Sequence, residues 1–208
     1  MIRSTLASIL ASLVILASCA SATVPSPVQP MTLGGEPFCT AFSINQRDGY
    51  WATAKHCAEG AQMAQAMAMI MGAEAPALQI GGSTWVEIVY VDTYADIAIL
   101  RSDLKVKPFP LAKTPLRTGD PVVVWGMPYG LGAVLETRGT CAAPGVPIPG
   151  AFVSDILDVT VGGGNSGSPV LRKGEVVGIV WGGFKESPHA LSTTQADTLR
   201  VLGPYIQS

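Results

Sequence analysis

Only two histidines occur in the 208-residue chain, and one of them, His56, stands in Thr53-Ala54-Lys55-His56-Cys57 directly after a β-prone run. An imidazole acts as a general base when a carboxylate fixes its tautomer and a hydroxyl lies within reach, the set of groups that acyl transfer requires. His189 follows a polar, loop-like stretch, Lys185-Glu186-Ser187-Pro188, which leaves His56 as the base. The hydroxyl is expected from Gly162-Gly163-Gly164-Asn165-Ser166-Gly167-Ser168-Pro169. Glycines on both sides of Ser166 allow positive φ and let successive N–H groups turn inward as an anion-binding concavity. Gly164 and Ser166 are the expected oxyanion donors, and one such donor contributes about 2.7 to 4 kcal/mol of transition-state stabilisation. Asp96 runs into Ile97-Ala98-Ile99-Leu100, an apolar segment in which an unpaired charge is costly, so it needs a partner that an imidazole supplies. Asp92, in a more polar setting, is the alternative carboxylate.

The elements that must position these groups read as short strands. Residues 38–44 and 50–54 form a strand-turn-strand stretch with Cys39 and Cys57 at its two ends. A Cys39–Cys57 bridge in an oxidising compartment would contribute roughly 3 kcal/mol and anchor the backbone beside His56. Cys141 is then left over and reads as a buried small hydrophobe. In residues 62–71 the methionines 63, 67 and 71 recur at helical spacing, although 67–70 would also suit a strand; the stripe reads as core. Strands are expected over 85–91, 97–100, 122–125, 134–140, 152–159, 169–171 and 176–181, with a lobe boundary near 105–118. A closing helix is expected over 194–206, capped by a threonine, with Leu199, Leu202 and Ile206 in register. Many short strands separated by Gly- or Pro-bearing turns indicate a sandwich or barrel.

Composition narrows the partners. Hydrophobic residues make up 48% and charged residues 13%, with 23 Gly and 16 Pro, which is ample core material for one two-lobed all-β domain. The net charge is -2 and no Lys/Arg cluster exists, so the electrostatic footprint of a nucleic-acid binder is missing. Two histidines and no clustered ligand set imply neither a metal nor an organic cofactor. The N-terminus reads as an address: Arg3, an apolar stretch over 6–17 too short to span a bilayer, then small residues, a signal peptide over 1–22. Leu16-Ala17-Ser18-Cys19 resembles a bacterial lipobox, while Ala20-Ser21-Ala22 suits ordinary signal peptidase; the first is favoured, with Cys19 as a lipid anchor. Residues 23–35 read as a stiff Pro-rich spacer ahead of a domain over 36–208, so the expectation is an exported chain, membrane-tethered or secreted.

Thr53-Ala54-Lys55-His56-Cys57, Asp96-Ile97-Ala98-Ile99-Leu100 and Gly164-Asn165-Ser166-Gly167-Ser168-Pro169 resemble, in that order, the motifs of the chymotrypsin-like (trypsin-like) serine peptidases. The resemblance runs from Phe38 to Ile206 and is nearest the glutamyl endopeptidase branch in residues 164–170 and 178–183. It implies two six-stranded antiparallel β-barrels, His56, Asp96 and Ser166 as triad, an acyl-enzyme, and protein or peptide as substrate. It also implies that Trp181, Gly182 and Gly183 pair with the substrate backbone. Some positions depart from the pattern. Thr160 stands where trypsin-like enzymes carry a pocket-base Asp, and Val161 and Val180 stand where glutamyl endopeptidases hold a substrate carboxylate with Thr and His. The expected preference is therefore small or medium apolar. Asn165 cannot receive a freed N-terminus as an ion pair, which argues against that activation route. A catalytically inactive binding module of the same fold is the alternative.

Overall fold

The computed structural model describes residues 26–206 apart from residues 129, 130, 132 and 186. The signal peptide, Cys19 and the start of the spacer lie outside the described residues. Among the described residues, twelve strands and two helices follow in chain order. β1 (Val28–Leu33), β2 (Glu36–Asn45), β3 (Tyr50–Thr53), β4 (Leu78–Ile80), β5 (Thr84–Val91) and β6 (Ala98–Ser102) close one antiparallel barrel. β7 (Pro121–Gly126), β8 (Leu135–Pro147), β9 (Val153–Asp158), β10 (Pro169–Arg172), β11 (Glu175–Gly183) and β12 (Ala190–Thr193) close the second. α1 (Lys55–Ile70) is inserted between β3 and β4, and α2 (Gln195–Ile206) closes the chain. The all-β fold of two six-stranded barrels with a C-terminal helix is the one the resemblance implied. Closure pairs every strand on both sides and so removes the exposed edges that β-proteins must otherwise protect.

Inward-facing side chains fill each barrel. Met31, Trp51, Leu78, Ile80 and Leu100 pack in the first with the disulfide and Ala61 of α1. Val122, Val124, Leu157, Val170 and Val177 pack in the second. Cys141 is buried there, and desolvation, with the carboxylates of Asp155 and Asp120, pushes its thiol up to about 11. A third cluster spans both barrels and α2, where Val201 and Leu202 lie with Val28, Phe42, Ala95 and Ile97 and with Leu171, Val176 and Ile179 of the second barrel. Thr194 caps α2, its Oγ1 accepting the Asp197 N–H at 3.2 Å.

Three expectations change. Residues 28–33, read as spacer, are β1, so the domain begins before residue 36. Pro30 is tolerated because the β1–β4 ladder begins only at Met31, so no pairing N–H is missed there. Gly34 and Gly35, with φ of 59° and 92°, make the two-residue turn into β2. The methionine stripe is not core: α1 is helical throughout but buries only Cys57, Ala58 and Ala61, leaving Met63, Met67 and Met71 at 68%, 50% and 77% exposure. Small residues near the helix start make its contact with the barrel, and the distal turns extend past it. Leu199 of α2 is likewise exposed, because Val201 and Leu202 form the packed face.

Asp155, on β9, is buried and accepts one backbone bond, from the Gly145 N–H at 2.8 Å; among the described residues no cation pairs with it. Burial raises its pKa, partly offset by that bond. A carboxyl raised in the fold ionises more readily in the unfolded chain, so stability is lost as pH rises through the ordinary carboxylate range. Asp155→Asn retains an acceptor for Gly145. It is expected to raise Tm at pH 7 by about 2–4 °C, the gain vanishing near about pH 4, as read by calorimetry of both proteins across that range.

Candidate active site

His56 occupies the first turn of α1, immediately beyond β3, and Cys57 beside it is bonded to Cys39 of β2. The disulfide therefore ties the start of the helix to the barrel wall. Asp96 lies two residues before β6 and is buried. One of its oxygens accepts the His56 backbone N–H at 2.9 Å, and the other meets Nδ1 of the ring at 2.7 Å. The same carboxylate thus fixes both the backbone and the imidazole, leaving Nε2 as the outward ring nitrogen. The side chain of His56 remains 46% exposed, toward the cleft.

Asp92 is not the partner of His56. Fully buried, it is bound by Arg200 of α2 through two bonds of 2.9 Å, by the Tyr90 hydroxyl at 2.8 Å and by the Tyr94 and Ala95 N–H groups. The Arg200 guanidinium first, then the hydroxyl and the two amides, hold its carboxyl well below the usual range against the opposing effect of burial. His189 is also elsewhere, beside Ser187 on a separate cavity with Ala142, Ile156 and Lys185.

Ser166 sits in the loop between β9 and β10, which folds into successive tight turns: Asn165 N–H to Gly162 C=O at 3.1 Å and Ser168 N–H to Asn165 C=O at 2.9 Å. Gly164 has φ of 94°, a conformation that L side chains rarely adopt. Among the described residues the N–H groups of Gly164 and Ser166 have no protein acceptor. His56, Ser166, Gly163 and Gly164 line one cleft of about 570 Å³ together with Phe38, Glu36 and the disulfide. Ser166 and His56 both line this cleft, and among the described residues no hydrogen bond joins them; catalytic bonds of this kind often tighten only in the substrate complex.

Thr40, which carried no signal in the sequence, joins this loop to the first barrel. Its N–H donates to the Ser166 carbonyl at 2.8 Å and its Oγ1 to the Gly164 carbonyl at 2.7 Å. Its Oγ1 also accepts the Met127 N–H at 3.2 Å, and its carbonyl accepts Thr53 Oγ1 at 2.7 Å. Gly167 makes that approach possible, since a Cβ there would lie 2.0 Å from the Thr40 carbonyl oxygen.

A second pocket of about 290 Å³ opens from Ser166 and is lined by Val161, Gly162, Gly163, Asn165, Val180, Gly182, Gly183 and Phe184. Four of the six residues expected from the sequence to contact substrate therefore border it. Thr160 is exposed and does not; Trp181 stands outside, with its indole N–H on Ser154 Oγ and its ring edge-to-face with Phe152. Phe184 was missed by sequence reasoning, which stopped at the Gly182-Gly183 pair just before it. The donor atoms of Cys39, His56 and Cys57 lie within 4.8 Å of one another, but the two sulfurs are bonded together, which leaves no thiolate to hold a metal.

The family described as Trypsin-like peptidase domain matches residues 39–179. Three solved structures share the fold. Rv3671c from M. tuberculosis H37Rv, as an inactive mutant, has 23% identity and a TM-score of 0.64, covering 86% of this chain and 87% of that one. A second structure, of Rv3671c protease in an inactive form, gives 23%, 0.62, 85% and 89%. The serine endoprotease from Yersinia pestis gives 22%, 0.62, 88% and 63%. No curated protein matches the chain.

Removing the Thr40 hydroxyl leaves the Gly164 carbonyl and the Met127 N–H without it as a partner. Thr40→Val, which keeps the shape, is expected to lower unfolding free energy by about 1–3 kcal/mol in denaturant titration. It is also expected to slow modification of Ser166 by a fluorophosphonate.

Proposed function

We propose a reaction for this chain, which belongs to the trypsin-like peptidase domain family: hydrolysis of internal peptide bonds by Ser166, His56 and Asp96 through an acyl-enzyme. The observation that carries this reading is the buried Asp96 bound to both the backbone and Nδ1 of His56, across one cleft from a serine in a glycine-rich loop. Ser166 Oγ attacks the scissile carbonyl while Nε2 of His56 accepts its proton. The oxyanion is stabilised by the N–H groups of Gly164 and Ser166. His56 then protonates the leaving amine, and water, deprotonated by His56 in turn, releases the acyl group from Ser166. Asp96 holds the imidazole in the productive tautomer and stabilises the imidazolium, without itself taking the proton.

The walls of the smaller pocket support a preference for a small or medium apolar side chain on the acyl side. Val161 and Val180 offer no partner to a charged group, and an ionised carboxylate or ammonium desolvated there is strongly disfavoured. β11 pairs with β10 only as far as Ile179, so Trp181, Gly182 and Gly183 keep one side beyond the ladder, and that side serves in this reading as the strand that pairs with the substrate backbone. Likeness to the glutamyl endopeptidase branch extends to the loop sequence but not to its acid-binding residues. The chain is in this reading exported, with Cys19 as a lipid anchor; mass spectrometry of the mature protein is expected to find an acylated Cys19 as its first residue, and a mature chain beginning at an unmodified Thr23 overturns the anchor.

Ser166→Ala is expected to lower peptide hydrolysis by roughly 10,000-fold or more. Wild type should be labelled at Ser166 by a fluorophosphonate; an unlabelled wild type supports the inactive binding module instead. Profiling with a peptide library is expected to give cleavage after apolar residues, and dominance of acidic or basic residues at that position sinks the pocket assignment.

A further inference from the structure

We infer that Arg200, on the C-terminal helix, is a positioning residue for Asp96, an inference that rests on the triad reading above. Among the described residues, the hydrogen bonds to the Asp96 carboxylate all come from His56. No third side chain steadies it, so its place is set by the backbone loop that carries it.

That loop is shaped by Asp92. The Asp92 carboxylate accepts the N–H groups of Tyr94 at 2.9 Å and Ala95 at 2.7 Å, curling the chain back on itself. The backbone closes the same loop, Asp92 N–H to Ile97 C=O at 2.9 Å and Ile97 N–H to Ala95 C=O at 2.9 Å. A fully buried carboxylate needs a counter-charge, and Arg200 supplies it through a bidentate contact, 2.9 Å to each oxygen. Arg200 is itself steadied by Asp197 at 3.1 Å and lies 5.9 Å from the centre of the Tyr94 ring. The two residues that flank Asp96 are held by the same helix: Ala95 and Ile97 belong to one core cluster with Val201 and Leu202. Without the guanidinium, Asp92 would be a buried charge lacking its cation. The loop could relieve that only by opening toward water, which moves Asp96 relative to His56. Helix α2 thereby sets the geometry of the carboxylate.

The test compares wild type, Arg200→Ala and Arg200→Lys as full chains on a peptide that the wild type cleaves, with active sites counted by fluorophosphonate titration. Arg200→Ala is expected to lower kcat per titrated site by roughly 10- to 100-fold. KM should stay within about twofold, because uniform substrate binding is untouched. Arg200→Lys, which keeps the charge but not the fork, should recover part of the loss. A purely structural role lowers Tm and the titratable fraction but leaves kcat per titrated site unchanged, and that outcome overturns the inference. If Arg200→Ala does not fold, Arg200→Lys decides alone: reduced kcat at constant KM supports the inference and wild-type kcat overturns it. A wild type that is not labelled sinks the triad reading and this inference together; a labelled wild type with an unaffected variant sinks only this inference.

Discussion

One buried threonine joins the two halves of the molecule at the candidate site. The Thr40 N–H and hydroxyl, both from the first barrel, reach the carbonyls of Ser166 and Gly164 in the second. These carbonyls belong to the peptides that flank the two free N–H groups of the loop, so holding the carbonyls sets where the N–H groups point. A donor in the first barrel thus fixes the orientation of the Gly164 and Ser166 N–H groups in the second.

Such contacts require that the backbones come very close, and side chains are removed where they do. At Gly167 an added Cβ would meet the Thr40 carbonyl at 2.0 Å. Positive φ at Gly164 and Gly167 contributes the curvature that a tight loop needs. The Cys39–Cys57 bond works on the other side of the cleft, tying the turn that carries His56 to the strand that carries Thr40. The turn that carries His56 and the loop that carries Ser166 are therefore both fastened to one stretch of β2, at Cys39 and Thr40.

The carboxylate is supported from a third direction. Asp96 is bound to His56, but its loop is shaped by Asp92 and backed by α2, which shares one core cluster with residues of both barrels. The two buried aspartates show how surroundings divide one residue type into two roles. Asp92 is enclosed by a guanidinium, a hydroxyl and two amides, and Asp96 faces an imidazole that opens onto solvent. Burial alone does not tell them apart; the partner does.

Read without coordinates, the chain already contained the chemistry, because scarcity and local context are properties of sequence. Two histidines, one of them next to a cysteine, a serine between glycines, and an aspartate before an apolar run are all visible within a few residues. So were most strands, since alternation and turn residues act locally. β1 was masked by its proline, β4 by having only three residues, and the exposed methionines of α1 by the assumption that apolar stripes face a core. What only the tertiary structure decided were pairings across large separations. Thr40 with Gly164, 124 positions apart, and Asp92 with Arg200, 108 apart, leave no local trace. A hydrogen bond selects a partner by distance and direction in space, and the order of residues along the chain specifies neither until both barrels have closed.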